Sequence, residues 1–521
     1  MANTAFRTYA QEHGGRVFIL FLLFLLAIYQ FINAGFNAFA TVCAIPIFII
    51  AVILLFKYRI LAFWALVFVN FFLQCFNKNQ LLPAGVPMSM YNEMIEIVLI
   101  AMAILDFRDY INFDRLKSVM LAAILAWCGF CCIEVLNDTC GLGINIGAWY
   151  TGARMLAFQI LYAYIVFTLY LSTPRRLVFY LHFWVVLSLV SVFWTWKQIN
   201  FGLTHSEALW LESVGKSTHV LHAGTLIRWF STHNDAASYG IGAASTAVAL
   251  IIIAITTKFR KMRYIYAISS LFILWGMFQS GTRTAIFCVI AGFFVFLVLS
   301  KSFKIVIPSA ILGFFLLFIL VFTGIGNSNQ QIRRMRTAFN SDDASSNVRK
   351  IHQDAMKKYL DDAPWGIGLG MGYDNIPANN KYRKLSTLPP DSEYVFIWQH
   401  TGIIGITVFL ITTLIMFIGA CWIVFFTLKS PSLRGIGIAF CCAFVSQQLG
   451  GYGNQVLLNF PNCLIFYGGL SIVYALPYME KEWIEYESNI LAKQEEKKRI
   501  RLEKIEKMRV KPWYNRIYKY L

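Results

Sequence analysis

The sequence predicts an all-α polytopic membrane protein with about 12–14 transmembrane helices. Three observations carry that prediction. The chain of 521 residues is 58% hydrophobic and only 14% charged, whereas a soluble domain carries about 25% charged residues. Apolar runs of about 17–25 residues recur along it, each long enough to cross a hydrocarbon core about 30 Å thick. Basic residues punctuate alternate loops between these runs, as the positive-inside bias requires of cytoplasmic segments. The spans must be helical, because lipid offers no partners to free backbone groups. The short alternating segments of a membrane β-barrel do not occur in the sequence.

Fourteen spans follow in order, at 17–35, 38–56, 60–76, 89–106, 118–136, 155–172, 177–196, 236–256, 263–280, 284–300, 304–325, 402–427, 435–451 and 459–477. The first begins near Val17 behind Arg7 and Arg16. Its length, and the lack of a small-x-small cleavage site after it, make it a span and not a signal peptide. With both termini cytoplasmic, Lys57, Arg59, Arg108, Arg115, Lys117, Arg175, Arg176 and the cluster Lys258–Arg263 all fall inside. The net charge of +18 thus reflects mainly this bias. Nucleic-acid binding is a poor fit, because the basic residues are dispersed over many short loops.

The transmembrane domain covers residues 1–480 and contains a large external loop, 326–401. That loop holds ten of the 45 Lys and Arg residues, against the topological bias. Its stretch "SSNVRKIHQDAMKKYL" (345–360) reads as helix. Residues 481–521 form a basic cytoplasmic tail whose acids and bases alternate on a helical period, with Ile500, Ile505 and Met508 in step. Cys128 and Cys131 have the CxxC spacing but lie in a span without a second pair, so packing explains them better than zinc or redox chemistry.

Four stretches carry candidate chemistry, all on the outer side. "LIRWFSTHNDAASYG" (226–240) sets Arg228, His233, Asn234 and Asp235 where the chain re-enters the membrane. An N-cap and an aromatic belt explain most of it, but not an arginine on the outer side. "GMFQSGTRTAIF" (276–287) puts Arg283 in a short outer turn. Its planar fork suits phosphate, and a lipid headgroup contact is the plainer reading. "APWGIGLGMGYDN" (363–375) alternates Gly366, Gly368, Gly370 and Gly372 without the strand–turn–helix setting of a nucleotide loop. Such glycines permit tight turns, and their amides offer an anion cradle. "PPDSEYVFIWQHTGIIG" (389–405) sets Asp391 and Glu393 before a span, with Asp391 placed either as helix cap or as acid/base group.

Together these stretches resemble the O-antigen ligase and Wzy-type polysaccharide polymerase family of bacterial inner-membrane glycosyltransferases. The likeness rests on Arg228 with "THNDAA", "SGTR" ending at Arg283, Arg349 followed by "PWGIGLG", and "DSEYVFIWQHTGIIG", in that order from about 225 to 410. The resemblance implies transfer of a glycan from undecaprenyl diphosphate to a sugar hydroxyl on the periplasmic face of the inner membrane. It implies inversion at the anomeric carbon and no metal, nucleotide or other cofactor. The acceptor is a second lipid-linked glycan in a polymerase and lipid A–core in a ligase.

On this reading Arg228 and Arg283 meet the leaving diphosphate, and Arg349, His233, Asn234, Gly368 and Gly370 bind diphosphate or glycan. The family's ligases carry histidine at the position that corresponds to Asp391. Asp391 is then the expected base, with Glu393 in reserve, and the missing histidine favours polymerisation over ligation. A flippase for lipid-linked sugars is the rival of a different class. It would set charges at the membrane midplane, where these spans carry few.

Overall fold

The structure is a computed structural model describing residues 57–82, 87–105, 111–221, 226–336 and 344–509, with scattered positions between 14 and 54. The chain divides into two units, Met1–Ala65 and Leu66–Leu521. In the first unit the described positions between Phe18 and Tyr29, and Ile53 and Leu54, are helical. The remainder of the expected spans 17–35 and 38–56 lies outside the described residues, as do residues 510–521 of the tail.

Eight described helices are long and apolar enough to cross a membrane: Arg59–Lys78, Met88–Leu105, Val119–Leu136, Ile146–Tyr170, Pro174–Phe201, Ala236–Thr256, Glu393–Thr427 and Asn462–Glu503. The helices Arg260–Gln279, Thr284–Leu299, Phe303–Phe322 and Pro431–Gly453 fill the other expected spans. The protein is therefore an all-α, multi-pass membrane protein. The large loop ends earlier than expected, because the helix begins at Glu393. The last span and the tail are one continuous helix, Asn462–Arg509.

Local sequence explains the helix starts. Thr173 and Ser430 cap helices that carry Pro174 and Pro431 in the first turn, where a missing N–H costs nothing. Asp235 caps Ala236–Thr256 by accepting from the Ala237 and Ser238 amides at 2.7 and 2.8 Å. The small residues of "AASYGIGAASTA" bury this helix along nearly its whole length. It packs against Arg260–Gln279, Thr284–Leu299 and Pro431–Gly453. A polar cluster lies among the described spans: Glu93 meets Arg154 at 3.4 Å and Gln159 at 3.1 Å.

Bonds between loops sort the second unit into two ends. At one, Lys78 Nζ donates to His233 O at 2.8 Å, Asn380 Nδ2 to Cys140 O at 2.7 Å, and Ser392 Oγ to Gly451 O at 3.0 Å. At the other, Tyr478 donates to Asp114 O at 3.2 Å and Lys258 to Glu487 at 2.9 Å. The loops assigned outside and inside from their charge thus gather at opposite ends.

The helix that starts at Glu393 breaks at Gly402, with φ 64 and ψ −167. The break deprives the carbonyls of Gln399 and His400 of their helical donors. The glycine repeat supplies replacements, Ile367 N to Gln399 O and Gly368 N to His400 O, both at 3.0 Å. Ile404 N then returns to Pro364 O at 3.2 Å. A β-carbon at Gly402 would strike the Pro364 carbonyl in a backbone region reserved for glycine. Gly402→Ala is expected to cost on the order of 3 kcal/mol. It would appear as a lower aggregation temperature of the detergent-solubilised protein, and an unchanged temperature would refute the clamp.

Candidate active site

Arg228 is set by a two-stranded hairpin in which Val220 faces Ile227 and Leu221 faces Leu226. Its side chain binds the turn of the second motif: Nε donates to Ser280 O at 3.3 Å and Nη2 to Thr282 Oγ1 at 3.1 Å. Nη1 donates to Thr218 O at 2.9 Å. The first and second motifs are therefore one structure. The short helix Gln330–Arg336 crosses over it, with Gln331 Nε2 on Ile227 O at 3.0 Å and Arg334 Nε on Gly281 O at 2.8 Å.

Two further guanidiniums, of Arg283 and Arg349, lie near enough to act on Arg228. Burial lowers the Arg228 pKa, Asp235 opposes that shift, and Arg283 and Arg349 add to it. The group stays charged, as guanidinium does in proteins. Arg283 occupies the N-cap position of Thr284–Leu299, so its charge joins the positive end of that helix. Asn454 Nδ2 reaches Thr284 Oγ1 at 3.4 Å and brings the end of Pro431–Gly453 beside this turn.

Arg349 belongs to the helix Ala344–Leu360, and His352 follows one turn later on the same face. His352 Nδ1 lies 2.6 Å from Asp391 Oδ2, with the two side chains 26% and 30% exposed. Asp391 sits at the centre of a three-residue turn, where Ser392 N donates to Pro390 O at 2.6 Å. Its φ of 52 is strained for a non-glycine residue. The cap reading of Asp391 is corrected: Ser392 holds the N-cap position, and the Asp391 carboxylate is turned to His352.

Other expected site residues lie elsewhere. Glu393 is buried and accepts from the amides of Val456, Leu457 and Leu458, with 3.0 Å to Leu457 N. It anchors the loop before the last helix. His233 points inward between Phe71 and Tyr239. Burial, then Lys78, pushes its pKa down to about 3. Its ring is buried and neutral. Gly368 has its amide on His400 O, and Gly370 packs so closely on Ala148 that no side chain fits. The amides of Ile367 and Gly368 are thus taken up by the clamp. Asn234 stays half-buried, with Nδ2 3.3 Å from Asp235 Oδ2.

His219 was not singled out in the sequence, yet it holds the Arg228 segment. Its carbonyl accepts from Arg228 N at 2.8 Å, and its Nε2 accepts from Ala236 N at 3.1 Å. Burial, then Arg228, lowers its pKa to about 4, so the ring is neutral and able to accept. Lys78 supports the same segment from below, 3.7 Å over Trp210 and 3.9 Å over Phe230.

Fold and site together define a class: a multi-pass helical membrane protein whose converging loops set three arginines near a histidine–carboxylate pair. Residues 268–410 match the family model described as O-antigen ligase. The matched segment contains Arg283, Arg349, His352, the glycine repeat and Asp391, while Arg228 precedes it. No curated protein matches the chain. The family-model match supports a glycosyltransferase-like role in O-antigen or polysaccharide assembly, on lipid-linked glycan and acceptor substrates in general.

Proposed function

We propose that this protein transfers a glycan from undecaprenyl diphosphate to a sugar hydroxyl on the periplasmic face of the inner membrane, extending a polysaccharide by repeat units. The observation that carries this reading is the His352–Asp391 pair, one helical turn from Arg349 in a site shared with Arg228 and Arg283. Asp391 holds Nδ1 of His352, which leaves Nε2 for the acceptor. Nε2 takes the hydroxyl proton as the acceptor oxygen bonds to the anomeric carbon. The bond from that carbon to the diphosphate oxygen breaks, and the electron pair leaves with the diphosphate. The three guanidiniums hold the charge that develops there. His352 thereby takes the role of base that the sequence pattern assigned to Asp391, and Asp391 orients the ring and stabilises its charged form.

The same pair favours a second reading. The lean to polymerisation rested on a histidine missing at position 391, and His352 supplies one from another helix. A ligase with lipid A–core as acceptor needs the same site.

Purified protein given a lipid-linked oligosaccharide is expected to release undecaprenyl diphosphate and a longer or relocated glycan. Movement of the intact lipid-linked sugar without release would instead mark a flippase and sink the transferase reading. Gene deletion separates the two acceptors. Single-repeat glycans on the cell surface identify a polymerase, and long chains stranded on the carrier identify a ligase.

A further inference from the structure

The helix Gln330–Arg336 ends the stretch "GIGNSNQQIRRMR" (324–336), which follows the helix Phe303–Phe322 at the start of the external loop. This strap braces itself. Gly326 turns the chain at φ 84, Asn327 N donates to Gly324 O at 3.1 Å and Asn329 N to Gly326 O at 2.9 Å. Asn329 Oδ1 accepts from Gln331 N at 2.8 Å, and Arg336 reaches back to Asn327 Oδ1 and Ile325 O. Met335 is wholly buried beneath the strap.

Gln331 and Arg334 lie one helical turn apart and so share a face. Gln331 is bonded to the carbonyl just before Arg228, and Arg334 to a carbonyl two residues before Arg283. The two prongs hold the first motif to the second. They meet Arg228 at Gly281, whose φ of 58 suits glycine. A β-carbon there would lie 2.7 Å from Gln331 Oε1, 3.3 Å from Arg334 Cδ and 3.4 Å from Arg228 Cγ. Arg228 takes Ser280 O and Thr282 Oγ1, and Arg334 takes Gly281 O between them. Two arginines thus hold three consecutive residues, and the next residue is Arg283. Like charges repel, so Arg283 is pushed from Arg228 until an anion joins them. The bond from Arg334 to the Gly281 carbonyl pins the turn against that motion.

We infer that Arg334 is a positioning residue of the transfer reaction. With Gln331 it pins the turn 280–282, so that Arg283 and Arg228 are set to face one diphosphate. The inference rests on the transferase reading for the identity of that anion. A site set in advance spends no binding energy on ordering its charges. Arg334 acts through Arg283, so its bond matters to the anion only while Arg283 is present.

The test is a double-variant cycle in the purified full chain, with inorganic diphosphate as probe and titration calorimetry as readout. Arg334→Met keeps the length of the side chain and removes the donor. It is expected to weaken diphosphate about tenfold in the unaltered background and less than about twofold in Arg283→Ala. A merely structural role would weaken both backgrounds by the same factor. Arg334→Gln restores a donor where Nε stood but not the charge, and is expected to bind within about threefold of the unaltered protein. Gln331→Met cuts the other prong, is expected to show the same dependence on Arg283, and serves if Arg334→Met does not fold. Coupling of Arg334 to Arg283 in a protein that releases no undecaprenyl diphosphate removes the transferase reading and keeps the strap. Equal losses in both backgrounds, a glutamine variant as weak as the methionine one, or no binding by the unaltered protein overturns the inference.

Discussion

His352→Gln is expected to lower single-turnover release of undecaprenyl diphosphate by about 10²–10⁴-fold, with little change in donor affinity. Glutamine is close to histidine in reach and still donates to Asp391, so the 2.6 Å contact can persist in some form. What it cannot do is take a proton. The variant therefore removes the base and spares the architecture. Asp391→Asn makes the complementary cut. It keeps the imidazole but replaces the carboxylate that fixes its tautomer and stabilises its charged form. Because the two groups act as a unit, the double variant should be no slower than the slower single. Turnover by His352→Gln above about a tenth of the unaltered rate would place the base elsewhere.

That assignment also shows where the sequence was readable and where it was not. The spans were legible because burial in lipid leaves a length and a composition, and the alternation of basic loops set the ends to which they belong. Arg228 and Arg283 stood out because an arginine at an outer turn goes against the topological bias. His352 was missed because its partner is 39 residues away along the chain. Position 391 showed an aspartate where a linear pattern calls for histidine, and no local signal points from there to another helix. Helical spacing did hold a clue, for Arg349 and His352 share one face of Ala344–Leu360.

Glu393 and the glycine repeat have structural partners that the sequence did not reveal. Carboxylates and glycines near a site look like chemistry in one dimension. In three, the carboxylate serves the amides of residues 456–458, and the glycine repeat closes the gap left by the break at Gly402. Buried backbone groups need partners whether or not a substrate is present.

The other large expected effect concerns the arginines. Arg283→Ala is expected to lower turnover by about 10²–10³-fold, the usual cost of removing one fixed charge from a developing anion. Arg228→Ala should cost at least as much, but it also breaks three hydrogen bonds to residues 218, 280 and 282. Its loss would thus mix chemistry with architecture. Arg228→Lys separates them, because it keeps the charge and loses the fork that spans the second motif. If the fork positions the turn, Arg228→Lys lowers the melting temperature as well as the rate. If charge alone matters, the lysine variant recovers most of the rate. Inorganic diphosphate provides the independent readout. It should compete with donor in the unaltered protein and lose affinity in Arg283→Ala. Turnover that survives Arg228→Ala and Arg283→Ala together would mean that the diphosphate is held by other groups.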